Sequence, residues 1–370
     1  MKNAPLFIGV MSGSSLDGID VALTAINKHE CKVVATHFQA YSTETKQSLL
    51  SLHFQSENEL EKSALMANHL ACLYAEAINA LLTKCNLPAQ QIIAIGCHGQ
   101  TIRHQPKLND AIGYTIQLGN NALLCELTNI TVVGDFRSRD IAAGGQGAPL
   151  VPAFHSAVFS SSHKNRAIVN VGGIANITYL AKTGAVIGFD SGPGNMLLDH
   201  WVKLKIGKEY DVDGKWAAAG TTQNALLKSM LSDPYFSLPP PKSTGRDLLN
   251  ETWLMRHLAN VSCKPEDVAR TLVTLTSHTI YLAIQQHCPH VDEVYLCGGG
   301  AHNQLLSNTL QAALDTIPLL TTDRLGVDVD WVEAAAFAWL ANQTINNAAS
   351  NLPAVTGASG LRVLGAIYPN

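Results

Sequence analysis

The residues best equipped for chemistry begin near the amino terminus, where Leu6 to Asp20 reads Leu-Phe-Ile-Gly-Val-Met-Ser-Gly-Ser-Ser-Leu-Asp-Gly-Ile-Asp. An apolar run, a polar turn with glycine at Gly13 and Gly18, and a second apolar run from Ile19 to Ile26 predict a strand, a turn and a returning strand. Glycine keeps side chains away from anything approaching the backbone, so an anion can reach the peptide N–H groups. Ser12, Ser14 and Ser15 add hydroxyl donors. Asp17 and Asp20 repel a bare phosphate but suit magnesium, so the turn fits a phosphate that arrives with its metal. The same residues also fit a surface hairpin whose serines and aspartates only satisfy the turn.

Five later stretches carry further candidates. A short strand predicted over Ile92 to Ile95 ends in Gly96-Cys97-His98-Gly99-Gln100-Thr101; open α/β sheets take ligands at such polar strand ends. His98 also reads as a turn histidine bonded to its own loop. A strand over Ile130 to Gly134 delivers Asp135-Phe136-Arg137-Ser138-Arg139-Asp140 into Gly144-Gly145-Gln146-Gly147. Arginines there suit a carboxylate or phosphate held by bidentate bonds, or form a solvated charge run. Asp190 follows a strand over Ala185 to Phe189, and Ser191-Gly192-Pro193-Gly194-Asn195 leads into a helix from Met196 to Lys205, with Asn195 the better placed cap. The strand Val294 to Cys297 runs into Gly298-Gly299-Gly300, where a flat ring or ribose has room against bare backbone, or where the chain makes a tight βα turn. Glu333 stands near the start of an alanine-rich helix, Trp331 to Ile345, a place the helix dipole favours for a carboxylate.

The elements that must hold these residues alternate between strand and helix. After the first hairpin, Lys32 to Ala40 reads as a strand and Glu57 to Lys84 as a long amphipathic helix. Asn120 to Thr128 reads as a short helix. Ser160 to Asn165 is the best domain boundary. Beyond it, Ile168 to Leu180 repeats the opening pattern of strand, glycine turn (Gly172, Gly173) and returning strand through Asn176. Two α/β halves that each begin with such a hairpin imply a duplicated fold, two lobes facing across a nucleotide cleft. The lobes are expected over residues 1–165 and 166–370. An insertion at 207–260 holds Pro239 to Pro241 and amphipathic pieces at Asn224 to Leu231 and Asp247 to Leu258. Pro265 opens a long helix through Gln286, and Val363 to Tyr368 closes the chain as a strand.

Composition narrows the partners. A chain of 370 residues calls for two domains, and 46% hydrophobic with 15% charged residues describes a compact globular protein. A formal charge of −4 gives no basic surplus for nucleic acid or an anionic membrane, so a small-molecule partner is expected. No stretch reads as long enough to span a bilayer, and Leu6 to Met11 is too short for a signal-peptide core. Eight scattered cysteines without Cys-x-x-Cys spacing suggest reduced core residues in the cytoplasm. No histidine or cysteine cluster has zinc spacing. The Walker and dinucleotide fingerprints are both missing, which leaves phosphate binding to hairpin turns.

The two hairpins, the Asp190 loop and the triple glycine together resemble the actin and sugar-kinase superfamily, with its duplicated actin/ribonuclease-H-like fold. Within it, the runs Ile8 to Asp20, His98 to Thr101, Gly134 to Arg137, Asn170 to Asn176, Phe189 to Asn195 and Val332 to Leu340 closely resemble the anhydro-N-acetylmuramic acid kinases of bacterial cell-wall recycling. The resemblance covers nearly the whole chain, in order; Ser14 stands where threonine is expected in many members. It implies ATP and Mg²⁺ as cofactors, hydrolytic opening of a 1,6-anhydro sugar with phosphorylation of O6, and release of N-acetylmuramic acid 6-phosphate and ADP. By the same resemblance Asp190 is the catalytic base. Gly13, Ser14, Ser15, Leu16, Asp17, Gly18, Ile19, Asp20, Gly172, Gly173, Asn176, Gly298, Gly299 and Gly300 hold the nucleotide, with Asp17 on the metal directly or through water. His98, Gln100, Thr101, Arg137 and Glu333 face the sugar, Arg137 taking its lactyl carboxylate, and a homodimer is the expected assembly. Another sugar or acetate kinase of this superfamily, or an actin-like filament protein, are the competing readings.

Overall fold

The computed structural model describes residues 4–13, 15–27, 30–108, 111–245, 248–259 and 261–370. Ser14, one of the expected phosphate contacts, lies outside them. The strands are β1 (Leu6–Ser12), β2 (Gly18–Ile26), β3 (Cys31–Ala40), β4 (Ile92–Leu108), β5 (Ala111–Leu118), β6 (Val132–Gly134), β7 (Arg166–Val171), β8 (Ile174–Leu180), β9 (Val186–Pro193), β10 (Glu293–Cys297), β11 (Leu319–Thr321) and β12 (Ala366–Tyr368). They fall into two compact units, Met1–Val158 with Trp331–Asn370, and Phe159–Asp330.

The first unit is built on a sheet ordered β12-β6-β4-β1-β2-β3, with β5 added on β4. The meander β1-β2-β3 is antiparallel, whereas β4 and β6 run parallel to β1. Ile8 and Val10 turn to one face and meet the helix Glu59–Cys85 through Leu70, Tyr74, Ile78 and Leu81, all fully buried. That helix has the length and apolar composition of a membrane span, against the expectation that no stretch does. Its apolar stripe is nevertheless committed to this core, as in an amphipathic helix of a globular domain.

On the opposite face, Gly9 of β1 pairs with Gly96 of β4, and a methyl at either would fall on the Ala334 or Phe337 carbonyl oxygen. The two glycines form a flat bed that lets the alanine-rich helix Val332–Ile345 lie directly on the sheet. This packing corrects the expected lobe boundary. Residues 331–370 belong with the first unit, because its sheet presents a glycine floor to the helix and β12 pairs with β6.

The second unit repeats the arrangement as β9-β8-β7-β10-β11, with β7-β8-β9 antiparallel and β10 and β11 parallel to β7. Its core gathers the sheet, the helix Met196–Ile206 and the helix Pro265–His287. The insertion contributes Leu226, Met230, Leu249 and Trp253 to the same core.

Three local expectations change. The strand expected to stop at Ile95 runs on through Leu108, because β5 folds back and pairs with Gln100 to Leu108. His98, Gln100 and Thr101 therefore sit inside a strand. The last strand is only Ala366–Tyr368, and Asn195 does not cap by its side chain, whose Nδ2 donates instead to the Val171 carbonyl at 3.3 Å. The strands β5 and β11 and the helices Thr43–Ser51 and Val151–Phe159 are additional.

Candidate active site

In the first unit the β1–β2 bend stands on a buried polar base. The Ser12 hydroxyl donates to Gln100 Oε1, Tyr41 OH lies 2.7 Å from Ser12 Oγ, and Gln100 Nε2 donates to the Gly13 carbonyl at 3.3 Å. Ser12 has one proton to give, so Tyr41 is the donor in its pair. Gln100 is fully buried with both ends of its amide engaged, so it shapes the bend from below. Leu16, at φ 57°, and Ile19 bury their side chains in the core, and the Leu16 amide donates to the Gly13 carbonyl at 3.2 Å, closing the bend. Asp17 is exposed, its Oδ1 accepting from Ser15 Oγ at 2.6 Å and from Gly18 N at 3.1 Å. Asp20 lies on β2 opposite Met11.

The same unit assembles His98, Arg137 and Glu333. Arg137 directs Nε and Nη2 onto His98 Nε2 at 3.2 and 2.9 Å, and Nη1 onto the Gly147 carbonyl at 2.8 Å. Burial, then the Arg137 charge, pushes the His98 imidazole well below its usual pKa, so it is neutral and accepts from the guanidinium. Burial lowers Arg137 to about 10, opposed by Glu333, and it stays charged at neutral pH. Glu333 is raised by burial, opposed by Arg137 and reinforced by Asp17. Phe337, one helical turn after Glu333, packs its ring 4.7 Å from His98 and 5.5 Å from Phe136. Thr101 stands apart from this group, its hydroxyl accepting from Gln117 Nε2 at 3.1 Å.

Asp140, which carried no role in the sequence, holds the Arg137 loop in place. Its fully buried carboxylate accepts from Gly147 N, Asn351 Nδ2 and Thr356 Oγ1, each at 2.8 Å. Such saturation fixes the Gly147 carbonyl that Arg137 grips.

In the second unit Asn170, Asn176 and Asp190 stand in register across β7, β8 and β9. The Asp190 Oδ2 accepts from Thr244 N at 3.0 Å, its amide donates to the Lys242 carbonyl at 3.1 Å, and its own carbonyl accepts from Tyr235 OH at 2.7 Å. Burial raises the carboxyl to about 6, moderated by the Thr244 N–H and the Lys242 charge. All three partners come from the insertion, where no local motif announced them. The β7–β8 bend is tied to the start of the next helix by Asn195 N to Gly172 O at 2.8 Å and Gly194 N to Gly173 O at 3.0 Å.

The glycines separate into two groups. Gly18 is forced by β3, since a side chain would strike the Gln39 carbonyl and Phe38. Gly298 has φ 77° and crowds Asn170, and a methyl on Gly300 would run into Val171. Gly13, Gly172, Gly173 and Gly299 meet nothing closer than 3.5 Å and have no left-handed φ. Their own unit does not require glycine at those four positions, which points to an outside group approaching the backbone. Among the described residues no three His, Cys, Asp or Glu side chains form a metal-binding group; Asp17 offers a single exposed carboxylate beside the first bend.

Two units with matching strand orders, each bending at glycine beyond its first strand, define a duplicated α/β fold. The family model for anhydro-N-acetylmuramic acid kinase matches residues 5–370, and the chain belongs to that family. Curated relatives carrying that name are 52% identical in Nitrosomonas europaea, over 98% of this chain and 99% of the relative, and 50% identical in Nitrosospira multiformis, over 99% of each. A solved structure of a ROK family glucokinase from Streptomyces griseus, in complex with glucose and AMPPNP, aligns with 91% of this chain and 99% of its own. Its identity is 11% and its TM-score 0.41.

Proposed function

We propose that the protein is an ATP-dependent kinase that opens the 1,6-anhydro ring of anhydro-N-acetylmuramic acid with water and phosphorylates O6, giving N-acetylmuramic acid 6-phosphate and ADP for cell-wall recycling. In this substrate O6 is already bonded to the anomeric carbon, so both bonds to O6 change partner. Asp190 takes a proton from water as the water oxygen bonds to C1. The C1–O6 bond breaks, and O6 takes the γ-phosphoryl group, releasing ADP. This is glycoside hydrolysis in which the incoming phosphoryl group relieves the leaving oxygen of charge, in place of a carboxylic acid.

The observation that carries the reading is the Asp190 carboxylate. It is fixed through Oδ2, and at about 6 it is ionised at neutral pH while basic enough to take a proton, as a general base requires. The bare backbone at Gly13, Gly172 and Gly173 supports phosphate binding, and Gly299 supports contact with the adenosine. Ser14, Ser15, Leu16, Gly18, Ile19, Asp20, Asn176, Gly298 and Gly300 complete the proposed nucleotide contacts. Magnesium would neutralise charge on the transferring phosphoryl group, with Asp17 holding it directly or through water.

Arg137 retains N–H donors beyond those given to His98 and Gly147, which supports capture of the lactyl carboxylate. Glu333, His98, Gln100 and Thr101 are assigned to the sugar side, Gln100 through the bend it supports. The eight cysteines are scattered without Cys-x-x-Cys spacing, which supports a cytoplasmic location, and a homodimer is the proposed assembly.

The test is turnover of the anhydro sugar with ATP and magnesium in ¹⁸O-water. The C1 hydroxyl of newly formed 6-phosphate should carry ¹⁸O when read before the sugar's aldehyde form exchanges with solvent. Product with ¹⁶O at C1 would exclude ring opening by water.

A further inference from the structure

The insertion at 207–260 has no part in the expected chemistry, yet it encloses the backbone and one carboxylate oxygen of Asp190. We propose that Lys242 is a positioning residue for Asp190, holding it through a closed circuit with Tyr235 and supplying a buried cation to its surroundings. The proposal rests on the reading of Asp190 as base.

The circuit closes on itself. The Lys242 carbonyl accepts the Asp190 amide at 3.1 Å. The Lys242 ammonium donates to the Tyr235 and Phe236 carbonyls at 3.4 and 3.3 Å and lies 4.9 Å from the Tyr235 ring centroid. Tyr235 OH returns to the Asp190 carbonyl at 2.7 Å. Two residues beyond Lys242, the Thr244 amide grips Oδ2. Among the described residues Oδ1 has no hydrogen-bond partner, so the circuit fixes one oxygen and leaves the other to meet a ligand.

A lysine with 9% of its surface exposed needs a reason to be there. Two carbonyls and an aromatic face satisfy a cation, but among the described residues no carboxylate is in contact with it. Burial lowers the Lys242 pKa, and the opposing influence is the charge of Asp190. Among the described residues, the surroundings of Asp190 add little competing charge. Tyr235 is held neutral, first by burial and then by Asp190. His287, packed edge-on to Phe189 at 5.4 Å, is lowered first by burial and then by Lys242. The facing residue of β8 is the uncharged Asn176, and Thr279 of the helix Pro265–His287 shares with Lys242 and Ser191 a cavity of about 90 Å³. Among the described residues, Lys242 is therefore the cation placed to keep Asp190 ionised despite its burial.

The test compares Lys242→Met and Lys242→Arg with the full-length wild type. Selective ¹³C labelling of aspartate gives an Asp190 carboxyl signal, assigned by its loss in Asp190→Asn and titrated without substrate. In Lys242→Met the midpoint should rise by about one pH unit, and the acid limb of kcat should move with it. The KM for ATP should stay unchanged, and Lys242→Arg should restore the limb. An unmoved midpoint, or a loss of kcat equal at all pH values and not rescued by arginine, would overturn the proposal. If Lys242→Met fails to fold, Tyr235→Phe removes the bond to the Asp190 carbonyl and keeps the ring under the ammonium. It should lower kcat about tenfold at constant KM for ATP, and wild-type kcat in that variant would overturn the circuit. A shifted midpoint in Lys242→Met, combined with full turnover by Asp190→Asn, would support the coupling while ending the assignment of Asp190 as base.

Discussion

Replacing Gly173 by alanine should weaken ATP binding without weakening the fold, and replacing Gly300 by alanine should do the reverse. At Gly173 the nearest atom to an added methyl is Met196 Cβ at 3.7 Å, ordinary van der Waals contact, and the backbone is outside the left-handed region. The folded state then loses nothing while the unfolded chain loses freedom, for a gain of about 0.4–1 kcal/mol. A phosphate oxygen must come within about 2.9 Å of a peptide nitrogen to accept from it, and the methyl holds it off. Losing one charge-assisted bond of about 1.5–3 kcal/mol raises the Kd for ATP roughly 10- to 100-fold. At Gly300 the methyl would run into the Val171 side chain and sit 3.0 Å from its carbonyl, in a strand end with no exposed surface. Overpacking of that kind costs about 1–3 kcal/mol. Isothermal titration with ATP and urea unfolding followed by circular dichroism measure the two quantities separately. Wild-type ATP affinity in Gly173→Ala, or wild-type stability in Gly300→Ala, would refute the division of the glycines.

Asp190→Asn should abolish turnover and leave the Kd for ATP within about twofold of wild type, while in the wild type kcat/KM should fall as pH drops through about 6, where the base takes up its proton. Gly96→Ala should cost about 1–3 kcal/mol, because the methyl displaces the Phe337 backbone; kcat should fall as well, as the same helix carries Glu333, and both effects are read by urea unfolding and steady-state kinetics. Asp199 is raised to about 7 by burial and by the nearby Glu209 and Asp211. Its folded pKa exceeds the unfolded one, so its favourable contribution is complete below about pH 4 and lost as pH rises to about 7. Asp199→Asn should flatten stability against pH in that window, and an unchanged slope in pH-dependent urea midpoints would exclude the linkage.

Local chemistry was enough to read the two hairpin bends, the duplicated strand pattern, the Asp190 loop and the Arg137 segment, because strands and tight turns depend on near neighbours in the chain. Glycine inside the apolar runs at Gly9 and Gly96 was a signal for close approach by another backbone, though not for which element approaches. That element, the helix Val332–Ile345, is buried nearly all round, so its sequence has no polar stripe to show which unit it joins. The length of β4 depended on a partner strand, and the distinction between forced and free glycines depended on atoms distant in sequence. Only the tertiary structure brought Tyr235, Lys242 and Thr244 to Asp190 across some fifty residues. Hydrogen bonds to backbone atoms, which make that circuit, impose no residue pattern at either end; sequence names the groups that can react, and the packed chain decides which of them are held still.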